Sequence, residues 1–162
     1  MPRLLVVHHT PTASVQRLAE AVVAGTHDEA IEGVEVVVRP ALAASAQDVL
    51  DADGYLLGTP ANFGYMSGAL KHFFDSIFHQ AGGALGEDGS AAQVGSVRRP
   101  YGLWVHGRYD TTGAVRSVEA IAGALPWARS APVLEVLGDV AEEHLEAAYD
   151  LGGTIAALLS PG

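Results

Sequence analysis

The sequence contains no cysteine, and that single absence removes disulfides, thiolate zinc centres, iron–sulfur clusters and cysteine nucleophiles together. Positive charge is scarce as well. Nine lysines and arginines stand against 19 acidic residues, a formal charge of −10, and so acidic a surface is a poor match for the phosphates of nucleic acid or anionic lipid. Neither is expected as a partner. Nearly half the residues are apolar, yet no run approaches the roughly 20 needed to cross a bilayer. The opening Met1–Val7 has too short an apolar stretch for a leader and runs into His8-His9-Thr10 without a small-residue cleavage site. It reads as a first strand, and the chain as a cytoplasmic protein. Two phosphate fingerprints are also missing, G-x-x-x-x-G-K-[ST] and a G-x-G-x-x-G after the first strand, which argues against an NTPase and a dinucleotide-binding Rossmann domain. A serine hydrolase would need G-x-S-x-G; Gly64-Tyr65-Met66-Ser67-Gly68 puts its serine one residue late.

What is present is an alternation. Short β-branched or leucine-rich runs at Arg3–His8, Val34–Arg39, Gly54–Gly58, Tyr101–His106 and Val133–Leu137 predict strands. Amphipathic stretches between them predict helices: one carrying Val15, Leu18, Ala19, Val22 and Val23, a single turn over Ala46–Asp51, one over Ser67–Phe78, one over Thr112–Leu125, and a last one with Leu145, Ala148, Tyr149, Ile155 and Leu159 on one side. Five strands each followed by a helix imply a five-stranded parallel sheet with helices on both faces, because right-handed crossovers place them there. A chain of 162 residues fits this doubly wound α/β architecture as one domain, residues 1–162. The glycine- and alanine-rich Ala81–Gly95 reads as a mobile surface loop. His72, Asp75 and His79 share a helix side, but solvated helix polarity is the commoner cause of that pattern than a metal site.

In such a fold ligands bind at the carboxyl ends of the strands, where the strand order reverses. Three loops lie along that edge. The first, His9–Val15, carries hydroxyls on Thr10, Thr12 and Ser14 and leads into a helix N-terminus, a combination that can cradle a terminal phosphate or simply cap the helix. In the second, Thr59–Gly64, Pro60 restrains the backbone and Gly64 permits a positive φ. Ala61, Asn62 and Phe63 there present amides and one flat side chain, which suits a planar heteroaromatic ligand. Tyr65 reads instead as packing on the following helix. The third, His106-Gly107-Arg108-Tyr109-Asp110-Thr111-Thr112-Gly113, offers an imidazole, a guanidinium and a phenol. Trp104, inside the strand before it, reads as core.

At Gly58–Asp75 the pattern G-T-P-x-x-F-G-x-M-S-G-x-x-K-x-F-x-D resembles the flavin-contacting loop and helix of the flavodoxin-like NAD(P)H:quinone oxidoreductases of the WrbA type, and the related NADPH-dependent FMN reductases share the architecture. The resemblance implies FMN as cofactor, NADH or NADPH as co-substrate, a quinone-like or other small acceptor, and at least a homodimer. It implies that Thr10, Thr12, Ala13, Ser14 and Val15 hold the phosphate, that Pro60, Ala61, Asn62, Phe63 and Gly64 border the ring, and that His106, Gly107, Arg108, Tyr109, Asp110 and Gly113 form a third wall. No catalytic acid or base is assigned. The first loop departs from the T-G-N-T that flavodoxins usually carry: Thr12-Ala13-Ser14-Val15 lacks the glycine and the last hydroxyl, and Pro11 has no N–H. Two alternatives therefore stand beside the oxidoreductase. One is a flavodoxin-type electron carrier, which the acidic charge suits. The other is a flavodoxin-fold binding module that has lost FMN. Arg98, Arg99 and Arg108 are the candidates for meeting an NADPH 2′-phosphate.

Overall fold

A computed structural model describes residues 1–81 and 98–162 of the chain, with the side chains of 79–81 left out. Most of the glycine- and alanine-rich stretch, and the side chain of His79, therefore lie outside the described residues.

Each central strand follows from a continuous apolar run whose alternate residues serve opposite faces. In β1 (Arg3–His8), Leu5 and Val7 join one core cluster while Leu4 and Val6 join the other. Burial on both sides explains why the run does not alternate with polar residues. β2 (Glu35–Pro40) and β3 (Gly54–Asn62) flank β1, β5 (Arg99–Gly107) lies beside β3, and all pairings among these four are parallel. The fifth position is occupied by two short pieces, β6 (Trp127–Arg129) and β7 (Leu134–Leu137), both parallel to β5. The resulting order, with one interrupted edge strand, is the flavodoxin-like 2-1-3-4-5 arrangement. One extra hairpin strand, β4 (Tyr65–Met66), turns back on the end of β3.

Helices cover both faces. α1 (Ala13–Thr26) and α5 (Glu142–Leu159) pack over the cluster built on Leu4, Val6, Leu56 and Trp104. α2 (Ala46–Asp51), α3 (Gly68–Ala81) and α4 (Thr112–Ala124) pack over Leu5, Val7, Leu57 and Leu103. Among the described residues no helix is long and apolar enough to cross a membrane.

Two departures from the sequence expectation bear on the site. β3 runs four residues past Gly58, where the sequence predicts its end. Its pairing with β1 stops at Gly58, while Thr59 and Pro60 continue to pair with Val105 and His106 of β5. Past that point β3 has an open side, where a proline without an N–H is tolerated. The unexpected β6 exists because Trp127 is buried, with its ring stacked 3.9 Å from that of Tyr55. An aromatic pair of this kind contributes about 1 kcal/mol beyond its buried area and draws the segment onto the sheet edge.

Candidate functional site

Because β1 exchanges neighbours between β2 and β3, the reversal of strand order falls between β1 and β3, and the loop leaving β1 opens there. The loop is pinned at its root: the His9 amide donates to the Gly58 carbonyl at 3.1 Å, directly across from the end of β1. Thr12 then caps α1, its hydroxyl accepting the Val15 amide at 3.4 Å. The capping reading of Thr12 is therefore realised in the structure. Among the described residues the amides of Ala13 and Ser14, at the start of this 14-residue helix, have no partner. Thr10 Oγ1 lies 3.3 Å from His8 Nδ1. Burial, and secondarily the charge of His9, holds the His8 pKa below its ordinary value. Thr12 and Ala13 are exposed, Ser14 is half-buried, and Val15 is buried beneath them. Residues 9–16 carry no lysine or arginine. The first loop thus offers hydroxyls, amides and a helix N-terminus.

The second loop is a two-residue hairpin. Asn62 pairs with Tyr65 and Ala61 with Met66, leaving Phe63 and Gly64 as the turn. Both have positive φ, 52° at Phe63 and 76° at Gly64, as a turn matching the strand twist demands. Asn-Gly is the usual sequence for such a turn; here a phenylalanine occupies the left-handed first position at a cost of about 1–2 kcal/mol. That side chain is fully exposed. The base of the hairpin is latched. The buried Thr59 hydroxyl donates to the Pro60 carbonyl at 2.8 Å and accepts the Ser67 amide at 2.9 Å, and Ser67 Oγ accepts the Leu70 amide at 3.1 Å, closing the first turn of α3. Tyr65, read from the sequence as packing, is nearly half exposed.

The third loop packs against the second. Gly113, in the first turn of α4, lies so close to the Gly64 carbonyl that a Cβ there would overlap it, and a Cβ at Gly107 would stand 3.2 Å from that of Ala61. His106 and Gly107 are the last residues of β5 and are buried. His106 Nε2 lies 2.6 Å from the Gly138 carbonyl; a carbonyl only accepts, so this nitrogen carries the proton. The ring supports the loop after β7. Asp110 accepts the Thr112 amide at 2.9 Å, which holds its carboxyl below the usual range. The buried Thr111 hydroxyl donates to Glu135 at 2.6 Å. Tyr109 is almost wholly exposed, and Arg108 is exposed and paired with Asp139 at 3.1 Å.

Of the three arginines singled out in the sequence, Arg108 alone stands on this rim. Arg98 donates to the Gly123 and Leu125 carbonyls at the end of α4, and Arg99 donates to Tyr55 Oη and the Val49 carbonyl. Both lie at the amino end of β5, across the sheet from the loops.

One feature was hidden in the sequence. Trp104 is core, fully buried as expected, but among the described residues its Nε1 is the one buried side-chain polar atom without a hydrogen-bond partner. Its ring lies over Gly58, where any Cβ would overlap Cε2 and Cζ2. An orphaned donor, free amides, a hydroxyl row and an exposed aromatic fit an anionic ligand with a flat ring system.

Known proteins resemble this chain. It is 36% identical to a flavodoxin of Aquifex aeolicus over 92 residues, 57% of this chain and 48% of that one. It is 30% identical to an NAD(P)H dehydrogenase (quinone) of Paracoccus denitrificans over 129 residues, 69% of this chain and 60% of that one. The matched stretch is thus less than two thirds of either relative's length. Among solved structures, a flavodoxin from the domain Archaea superposes with a TM-score of 0.76 at 15% identity, covering 97% and 98% of the two chains. A WrbA-like protein from Agrobacterium tumefaciens does so at 0.69 and 17%, covering 98% of each. These structures share the fold. The pattern of the NADPH-dependent FMN reductases matches residues 10–99, more than half of the 162 and inclusive of the second loop and of the first from Thr10 onward, so the chain is a flavodoxin-like protein that belongs to the NADPH-dependent FMN reductase family.

Proposed function

We propose that the chain binds FMN at this rim and passes reducing equivalents from NADPH or NADH to a quinone-like or other small acceptor. The observation that carries the reading is Phe63, a strained and fully solvent-exposed aromatic at the tip of a latched hairpin. Strain of this kind persists where the surroundings over-determine it, and it clusters at functional sites. Thr10, Ser14 and the free amides of Ala13 and Ser14 would hold the phosphate, with Thr12 and Val15 shaping the turn that presents them. Pro60, Ala61, Asn62, Phe63 and Gly64 would border the ring. Tyr109, with Gly107, Asp110 and Gly113 fixing its loop, would form the remaining wall, and His106 would brace that wall from below. When bound, the flavin would supply the hydride chemistry; the chain binds, orients and keeps water from the ring.

Arg108 would receive the 2′-phosphate of NADPH, exchanging a solvent-exposed ion pair worth little for a charge-assisted contact. Rapid mixing of FMN-loaded protein with each nucleotide tests both statements. The flavin is expected to bleach with at least one, and Arg108→Ala to slow reduction by NADPH roughly tenfold, the loss of about 1.4 kcal/mol, with NADH unaffected. Flavin that stays oxidised under both nucleotides refutes the reductase. A homodimer is part of the proposal, and light scattering at a single-chain mass contradicts it.

The acidic charge favours a second reading, a one-electron carrier docking on basic partners. A stable semiquinone on photoreduction, with no NAD(P)H oxidation, would decide for it.

A further inference from the structure

Trp104 packs with Leu18 and Val22 of α1 in the cluster beneath the first loop. A buried aromatic that only fills space has no need of an N–H, and leaving one unpartnered is costly. Buried indole N–H groups usually find a partner. Trp127, the other tryptophan, is also buried and stacks on Tyr55, and its nitrogen is not among the buried unpartnered atoms of the described residues. Among the described residues the Trp104 nitrogen pairs with nothing.

Its position says where the partner belongs. His8, Gly58, Trp104 and Leu134 form one row across β1, β3, β5 and β7. The Trp104 ring reaches over Gly58, so that Cε2, one ring bond from Nε1, occupies the place of a Gly58 side chain. Gly58 is also the residue whose carbonyl holds the His9 amide. The indole therefore lies at the level where the first loop leaves the sheet. Below it are Leu56, Leu4 and Val6, none with a side-chain acceptor. The first loop, with Thr10 and the amides of Ala13 and Ser14, leaves the sheet at this same level, and Ser14 stands one helical turn ahead of Leu18, the α1 residue that shares the cluster with the ring.

This loop is short of donors for a dianion. Pro11 has no N–H, the Val15 amide is committed to Thr12, and no lysine or arginine stands in residues 9–16. We propose that the Trp104 indole N–H is a further phosphate donor, rising from the sheet beneath α1 to complete the cradle. The proposal rests on the FMN reading above and assigns a binding role to a residue of the core.

Riboflavin, which has the same ring and no phosphate, separates the two. Titration of flavin-free protein with FMN and with riboflavin is expected to give a large preference for FMN, which Trp104→Phe shrinks roughly tenfold or more, the loss of one hydrogen bond to a charged group, with riboflavin affinity held within about twofold. A variant that keeps the wild-type ratio overturns the assignment while leaving FMN binding intact. Wild-type protein that takes up neither flavin sinks the FMN reading and this inference with it. Should Trp104→Phe fail to fold, the nitrogen-15 indole resonance of Trp104 in the wild type decides. It is expected to move downfield with FMN and with inorganic phosphate but not with riboflavin. An unchanged resonance, or an equal response to riboflavin, overturns the proposal.

Discussion

Phe63 has two unfavourable properties at once, a left-handed backbone and a fully exposed ring, and the flavin-free protein obtains no visible return for either. Phe63→Gly is therefore expected to leave flavin-free stability unchanged or raise it by up to about 1 kcal/mol, while weakening FMN roughly fivefold through loss of a ring contact worth about 1 kcal/mol. Urea unfolding without flavin and a fluorescence titration with it measure the two effects, and a variant less stable yet equally avid would contradict the account. His8 carries a second prediction. Its folded-state pKa lies below the ordinary value of 6.5 because burial, and then His9, disfavour the charged ring. As pH falls through 6.5 the unfolded chain takes up a proton that the folded chain refuses, so stability declines until the lower folded value is passed. Unfolding free energies compared between about pH 7 and about pH 5 should fall less steeply in His8→Gln than in the wild type; an equal slope would show that His8 contributes nothing.

At the scale of elements, the hairpin depends on its latch. Thr59→Val removes the acceptor of a buried Ser67 amide and is expected to cost about 1–3 kcal/mol, with FMN affinity falling alongside, whereas Thr59→Ser keeps both. Melting curves of the two variants distinguish the hydroxyl from the methyl. The same hairpin shows what the sequence could and could not convey. Strands buried on both faces are legible because they read as apolar runs, and α3 because Leu70, Phe73, Phe74 and Ile77 recur at helical spacing. The continuation of β3 past Gly58 was not legible, because Thr59-Pro60 reads as a turn and a Phe-Gly hairpin lacks the Asn-Gly signal. β6 escaped for a related reason. Three residues after Pro126 carry no period, and only the stacking of Trp127 on Tyr55 makes them a strand. The three loops were identified by where strands end, but which arginines face them depends on the end of β5 each occupies. The unpartnered Trp104 nitrogen exists only once β5 is laid beside Gly58.

At the scale of the molecule, the reversal of strand order between β1 and β3 gathers three loops from distant parts of the chain onto one edge. With no lysine or arginine in residues 9–16, the proposed phosphate site would draw its contacts from amides, hydroxyls and an indole. The family assignment makes a flavin nucleotide the natural occupant. The direct measurement is uptake of FMN by the purified, flavin-free protein, followed through the visible spectrum and the quenching of flavin fluorescence. Saturation at one FMN per chain, with riboflavin bound far more weakly, is the predicted result. A spectrum that remains the sum of free FMN and colourless protein at every ratio would contradict it.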